Sequence, residues 1–304
     1  MRKLNGLAVI AIGALTLSAC GGGDPMSGET GDAGSGGSGE TIVVGSAAFP
    51  ENALLAEIYA GALKSAGVDV STKLNIGSRE TYIPGLEDGS IDLIPEYTGN
   101  LLQYLDKEAT TTDPAEVEKA LESAMPEGLT VLEASEASDQ DSVTVTKETA
   151  DKYSLATISD LKPVAKDLVL GGPPEWTKRP TGVPGLEKTY GLKFKEFKPL
   201  DVAGPVTVKS LMNGQVQAAN LFTTDPAVAK NGFVVLEDDK NLFLPGNVVP
   251  FINEEKASDS VTEALNKVSA AMTTDDLLKL VQRVSEKEEP ADVAADWLKQ
   301  EGLS

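Results

Sequence analysis

Tyr97-Thr98 and Phe222-Thr223 each set an aromatic ring beside a hydroxyl, and the two pairs lie 125 residues apart. At the carboxyl end of a strand, such a pair offers a ligand a face and a hydrogen-bonding group, which is where α/β sheets present their ligand contacts. Thr224 and Asp225 continue the second turn; because Asp225 precedes Pro226, it serves either a ligand or the cap of the next helix. Asn52 follows Phe49-Pro50-Glu51 at a helix start, where it either bonds a ligand carboxylate or hydroxyl or caps the helix. Ser78 and Arg79 stand at a second helix entrance. Arg79 there either clamps a ligand carboxylate through two parallel hydrogen bonds or forms a surface ion pair. Trp176 and Arg179 lie in and just after the stretch Gly171-Gly172-Pro173-Pro174-Glu175-Trp176, a Pro-rich loop of the kind that rims a cleft.

This is a binding set rather than a catalytic one. The chain has no His, which removes the commonest general base and metal ligand. Its single Cys, Cys20, lies near the N-terminus. There is no Gly-x-Ser-x-Gly elbow, no P-loop and no metal-ligand cluster, and a carboxylate pairing such as Glu96 with Asp225 is not legible from spacing. Neither a cofactor nor a metal is expected.

The elements that position these residues repeat. Leu86 to Asn100 and Leu211 to Asp225 superpose with Leu on Leu, Gly89 on Gly214, Ile91 on Val216, Tyr97 on Phe222 and Thr98 on Thr223. Each copy reads as a helix end, a Gly stop, an apolar strand and a turn. Upstream, Val43-Val44-Gly45-Ser46 matches Val169-Leu170-Gly171-Gly172, and Ser65-Ala66-Gly67-Val68 matches Thr189-Tyr190-Gly191-Leu192. Two kindred lobes with their matching turns facing one cleft are predicted. The first reads as strand, helix, strand (Val68 to Ile76), helix, strand, the order of a parallel sheet. The chain first crosses at Asp139 to Val143, turns back at Glu237 to Asn241, and rejoins the first sheet at Val248 to Ile252. Three C-terminal helices follow, the last carrying Trp297 as a core residue. Two crossings make a hinged pair whose closure buries a ligand.

With 304 residues the chain is long enough for two domains. Its 26 Lys and Arg against 47 Asp and Glu, a formal −21, exclude phosphate-backbone recognition, so no nucleic acid is expected. That field favours cationic small molecules or simply keeps the surface soluble. Residues 1–19 read as a secretory signal, with Arg2 and Lys3 ahead of an apolar run too short to span a bilayer. Residues 20–40 are a Gly- and Ser-rich tether with a reach of roughly 25 Å. The globular body divides into residues 41–142 plus 246–304 and residues 143–245.

Several motifs resemble the substrate-binding proteins of osmoprotectant ABC transporters, the glycine betaine, carnitine and choline class. They are Phe49-Pro50-Glu51-Asn52, Ile91 to Gly99 with its Pro-Glu-Tyr-Thr-Gly core, Thr157 to Leu161, Arg179-Pro180 with Pro184-Gly185-Leu186, and Val234 to Lys240. Leu17-Ser18-Ala19-Cys20 resembles the bacterial lipobox, in which the Cys is acylated. The resemblance implies a two-lobed, type II venus-flytrap periplasmic-binding-protein fold. It implies a small-molecule receptor tethered outside the cell by a lipid on Cys20, with an ABC permease and its ATPase subunits as partners. It also implies aromatics around a cationic head: Tyr97 fits one wall, Phe222 and Trp176 are the other aromatics at hand, and Val206 to Val208 and Gly246-Asn247 supply none. Receptors of the same fold for another polar or aromatic solute, an exported enzyme on this frame, and a surface sensor or adhesin are the competing readings.

Overall fold

The computed structural model describes residues 41–304; the signal segment, Cys20 and the tether lie outside the described residues. The β-branched run Ile42–Gly45 (β1) leads through a turn into α1 (Pro50–Ser65), with Pro at the first helical position. Leu54, Leu55, Ile58, Tyr59 and Leu63 of α1 are buried and form the middle of the first core. The next strand, β2 (Val70–Lys73), is shorter than the alternation over 68–76 predicts. It is an edge strand whose Ser71, Thr72 and Lys73 are exposed, so nothing rewards a longer ladder. There follow α2 (Arg79–Glu87), β3 (Leu93–Tyr97), α3 (Thr98–Leu105), α4 (Pro114–Ala124) and β4 (Leu129–Val131). Asp113 caps α4, accepting the N–H groups of Ala115 and Glu116.

The second sheet is built from β5 (Asp141–Val145), β6 (Val169–Gly172), β7 (Glu196–Pro199), β8 (Ala218–Phe222) and β9 (Val234–Val235). Helices α5 (Lys147–Tyr153), α7 (Pro205–Met212) and α8 (Pro226–Asn231) and the single turn α6 (Val183–Gly185) connect them. The chain then returns as β10 (Val248–Asn253) and ends in α9 (Asp259–Ala271), α10 (Thr274–Ser285) and α11 (Pro290–Gln300), which close the first core around Trp297.

The two sheets have one plan. Their strand orders are β2-β1-β3-β10-β4 and β7-β6-β8-β5-β9. In each, the first three strands are parallel, whereas the strand arriving from the other sheet, β10 or β5, runs antiparallel between its neighbours. The sheets are therefore mixed rather than parallel, because each borrows one strand from the half of the chain that crosses over. Gly89 and Gly214 end α2 and α7 at φ 74° and 67°, a left-handed conformation that glycine adopts at little cost. The crossing segments lie against each other: Ser138 bridges Asn247, and the Asp139 N–H donates to the Gly246 carbonyl at 2.9 Å. A Cβ on Gly246 would stand 1.9 Å from the Asp139 carbonyl oxygen, so only glycine lets the two segments touch.

Candidate functional site

The strand tips of the two sheets face each other across a cleft of about 590 Å³, counted out to its open mouth. The space inside it open to a water-sized molecule is about 50 Å³, so the two walls stand close together. From the first sheet's side come Phe49, Asn52, Arg79, Tyr82, Tyr97 and Asn100; from the second, Asp141, Pro173, Glu175, Arg179, Asn220 and Phe222. Four of these are aromatic. The Phe49 ring meets Phe222 across the gap at 5.1 Å between centroids and stacks on Tyr97 at 6.2 Å.

On the first side the buried polar side chains are tied down. Arg79, 8% exposed, grips the fully buried Glu96 bidentately, Nε to Oε1 at 2.9 Å and Nη2 to Oε2 at 2.7 Å. The Tyr82 hydroxyl donates to the same Oε1 at 2.5 Å. Burial and the Glu96 charge push the Tyr82 phenol well above its ordinary range, although Arg79 opposes this, so the hydroxyl keeps its proton. Asn52 accepts the Ala47 N–H at 2.7 Å and donates to the Pro95 carbonyl at 2.9 Å, pinning the loop after β1 to β3. Tyr97 donates to Glu51 Oε1 at 2.6 Å, while its ring lines the cleft.

Glu51 belongs to a buried cluster at the joint between the sheets. Thr224 of the second turn donates to Glu51 Oε2 at 2.5 Å. Asp139, on the crossing segment, accepts from the Thr223 hydroxyl at 3.0 Å and the Thr224 N–H at 3.1 Å. Burial pushes both carboxyls up, Asp139 well above its usual range with the Glu51 charge adding to it. Two carboxyls in one dry cluster each disfavour the other's ionisation.

The second side is less settled. Asp141 receives Asn220 Nδ2 at 2.8 Å on one oxygen and Asn100 Nδ2 at 3.2 Å on the other. Burial nonetheless pushes Asp141 up, against the hydrogen bond from Asn220 and the charges of Arg179 and Arg79. Arg179 turns to Glu80 of α2, Nε to Oε1 at 3.2 Å and Nη2 to Oε2 at 2.9 Å. Burial works to raise Glu80, but the hydrogen bonds of Arg179 and Ser78 outweigh it and hold the carboxyl down at about 2. Around the cleft, two guanidiniums thus stand against five acidic side chains: Glu80, Glu96, Asp139, Asp141 and Glu175. Among the described residues, no group of three or more metal-binding side chains is placed to hold an ion.

Asn52, Ser78, Arg79, Tyr97, Arg179 and Phe222 all line the cleft. Asn52 does not cap its helix, since the N-cap is Phe49. Arg79 forms neither a surface ion pair nor a free clamp, but a buried pair. Thr98 is turned away, donating to the Pro245 carbonyl at 3.0 Å, and Thr223 and Thr224 serve the buried acids. Asp225 caps α8 through the Ala227 N–H at 2.8 Å and borders a separate groove. Trp176 is not at the rim: fully buried, it packs on Phe243 at 6.2 Å in the second core. The stretch that carries it forms a short 3₁₀ turn, Pro174–Thr177, which tips the indole inward and leaves Glu175 at the cleft. Phe49, Tyr82, Asn100, Asp141, Glu175 and Asn220 escape a reading of the sequence. Phe49 could have been found, standing at the helix entrance beside Asn52; Asn220 sits mid-strand, where nothing local distinguishes it.

A family model described as the substrate binding domain of ABC-type glycine betaine transport systems (OpuAC) matches residues 40–300. The chain is 27% identical over 272 residues to the carnitine transport binding protein OpuCC of Listeria monocytogenes, covering 86% of this chain and 87% of that one. It is 28% identical over 277 residues to the glycine betaine-binding protein YehZ of Escherichia coli, covering 86% and 90%. A crystal structure of a glycine betaine/carnitine/choline ABC transporter component superposes with a TM-score of 0.67 at 26% identity, over 86% of this chain and 99% of that one. The chain belongs to the OpuAC family of substrate-binding domains.

Proposed function

Starting from that membership, we propose that the chain captures a small solute with a cationic head, of the glycine betaine, carnitine and choline class, outside the cytoplasm. It delivers the solute to an ABC permease and its ATPase subunits. One observation carries the reading: Phe49, Tyr82, Tyr97 and Phe222 converge on a single cleft in which both guanidiniums are already committed to glutamates. Ring faces attract an ammonium head at about 0.5–2 kcal/mol each once it is desolvated. The surplus of carboxylates supplies the matching field. Relatives named for carnitine and glycine betaine binding support the class.

In this reading residues 41–142 with 246–304 close on residues 143–245. The Phe49–Phe222, Glu51–Thr224 and Glu80–Arg179 contacts are the ones that closure makes. The lipobox-like Cys20 holds the protein at the membrane, and the solute leaves chemically unchanged. The test is a thermal scan of the mature protein with choline, carnitine, glycine betaine and proline. Stabilisation should grow with the logarithm of ligand concentration, reaching about 2.7 kcal/mol at a hundredfold excess over Kd. A melting curve indifferent to all four removes the osmolyte class.

A further inference from the structure

Asn220, in the middle of β8, is 1% exposed. Its amide nitrogen points at Asp141 Oδ1 at 2.8 Å and at the carbonyls of Ser142 and Leu221, each at 3.4 Å. Acceptors on that side fix the amide's orientation, because the reversed group would set its oxygen against a carboxylate and two carbonyls. The amide oxygen is thereby left on the other side, buried and with no hydrogen-bond partner. Glu175 Oε2 is in the same condition, and both residues line the cleft. A buried acceptor without a donor costs on the order of 1–3 kcal/mol, so two of them on one wall need an explanation. No neighbouring base supplies it, since Arg79 is spent on Glu96 and Arg179 on Glu80.

We infer that the ligand is a cation carrying its own N–H or O–H donors, and that Asn220 and Glu175 select for those donors. The inference rests on the cation-binding reading above. A fully methylated zwitterion such as glycine betaine has no donor at all. Enclosing it strips water from the two oxygens and returns nothing. A hydroxylated quaternary amine, or a protonated primary amine, meets both halves of the site: the rings face the charge and the acceptors take the O–H or N–H. Sites built to hydrogen-bond a substrate hydroxyl discriminate strongly against analogues lacking it, because their own polar groups are then stranded.

The test is calorimetric titration of the mature protein with two donor-bearing cations, choline and ethanolamine, and two donor-less quaternary ammonium compounds, the O-methyl ether of choline and glycine betaine. Choline should bind at least tenfold more tightly than its ether, and that ratio should fall towards one in Glu175→Ala and in Asn220→Leu. Should Asn220→Leu fail to fold, Glu175→Ala decides alone, its side-chain carboxylate having no hydrogen bond on Oε2 to lose. If the ether or glycine betaine binds as well as choline, or if the ratio survives Glu175→Ala, the inference is overturned while the cation reading stands. If no cation of either kind binds, both fall.

Discussion

The wall contributed by the first sheet and the wall contributed by the second meet across one cleft, yet their polar groups are settled differently. On the first, Arg79, Tyr82, Glu96, Asn52 and Tyr97 each have their partner inside the protein. On the second, Asp141 and Asn220 are bonded to each other, while the oxygens of Asn220 and Glu175 are left over. A finished wall behaves as a rigid template, since moving any member strands a buried group. An unfinished wall has binding capacity to spare. The matched turns divide the labour in the same way: Tyr97 and Phe222 turn rings to the cleft, whereas Thr98, Thr223 and Thr224 spend their hydroxyls on holding the halves together.

The sharpest way to break the contrast is to open the finished wall. Glu96→Leu leaves the Arg79 guanidinium buried and unpaired, and should cost about 3–5 kcal/mol in chemical denaturation. A loss under 1 kcal/mol would mean that the network is not holding this wall. Phe222→Ala removes a ring that the second wall lends to the aromatic set. It should weaken cation binding by about 0.5–2 kcal/mol in a titration while a neutral ligand is spared.

The joint between the walls can be read through pH. Asp139 is raised in the folded state, so its contribution is full below the unfolded carboxylate value and is lost as pH rises through the folded one. Stability should therefore decline as pH climbs above about 4. Asp139→Asn should flatten that decline by up to about 1.4 kcal/mol per pH unit in denaturation curves taken across the range. Least costly is Arg179→Ala. Its pair with Glu80 is part-exposed, side chains 18% and 45%, so stability should change by about 0–1 kcal/mol. Ligand release in stopped flow should nevertheless quicken, because the pair ties α2 to the second sheet's side of the cleft.

The two-sheet frame is written in local patterns of the chain. Glycine stops, β-branched runs and an echo at 125 residues announce two like halves, because helix ends and strands are dictated by backbone conformation and by apolar period. Tyr97, Phe222, Arg79 and Arg179 were legible as cleft-lining residues because they stand at strand tips and helix entrances, where position alone aims them at a cleft. Tertiary structure alone decided the rest. It set which carboxylate each arginine meets: Glu96 lies 17 residues from Arg79, and Glu80 lies 99 from Arg179. It also turned Trp176 into the core and gave its place in the cleft to Glu175, one residue earlier. Hydrogen-bond partners across such separations are chosen by how the two sheets pack, and an orphaned oxygen such as that of Asn220 exists only once every other partner is in place.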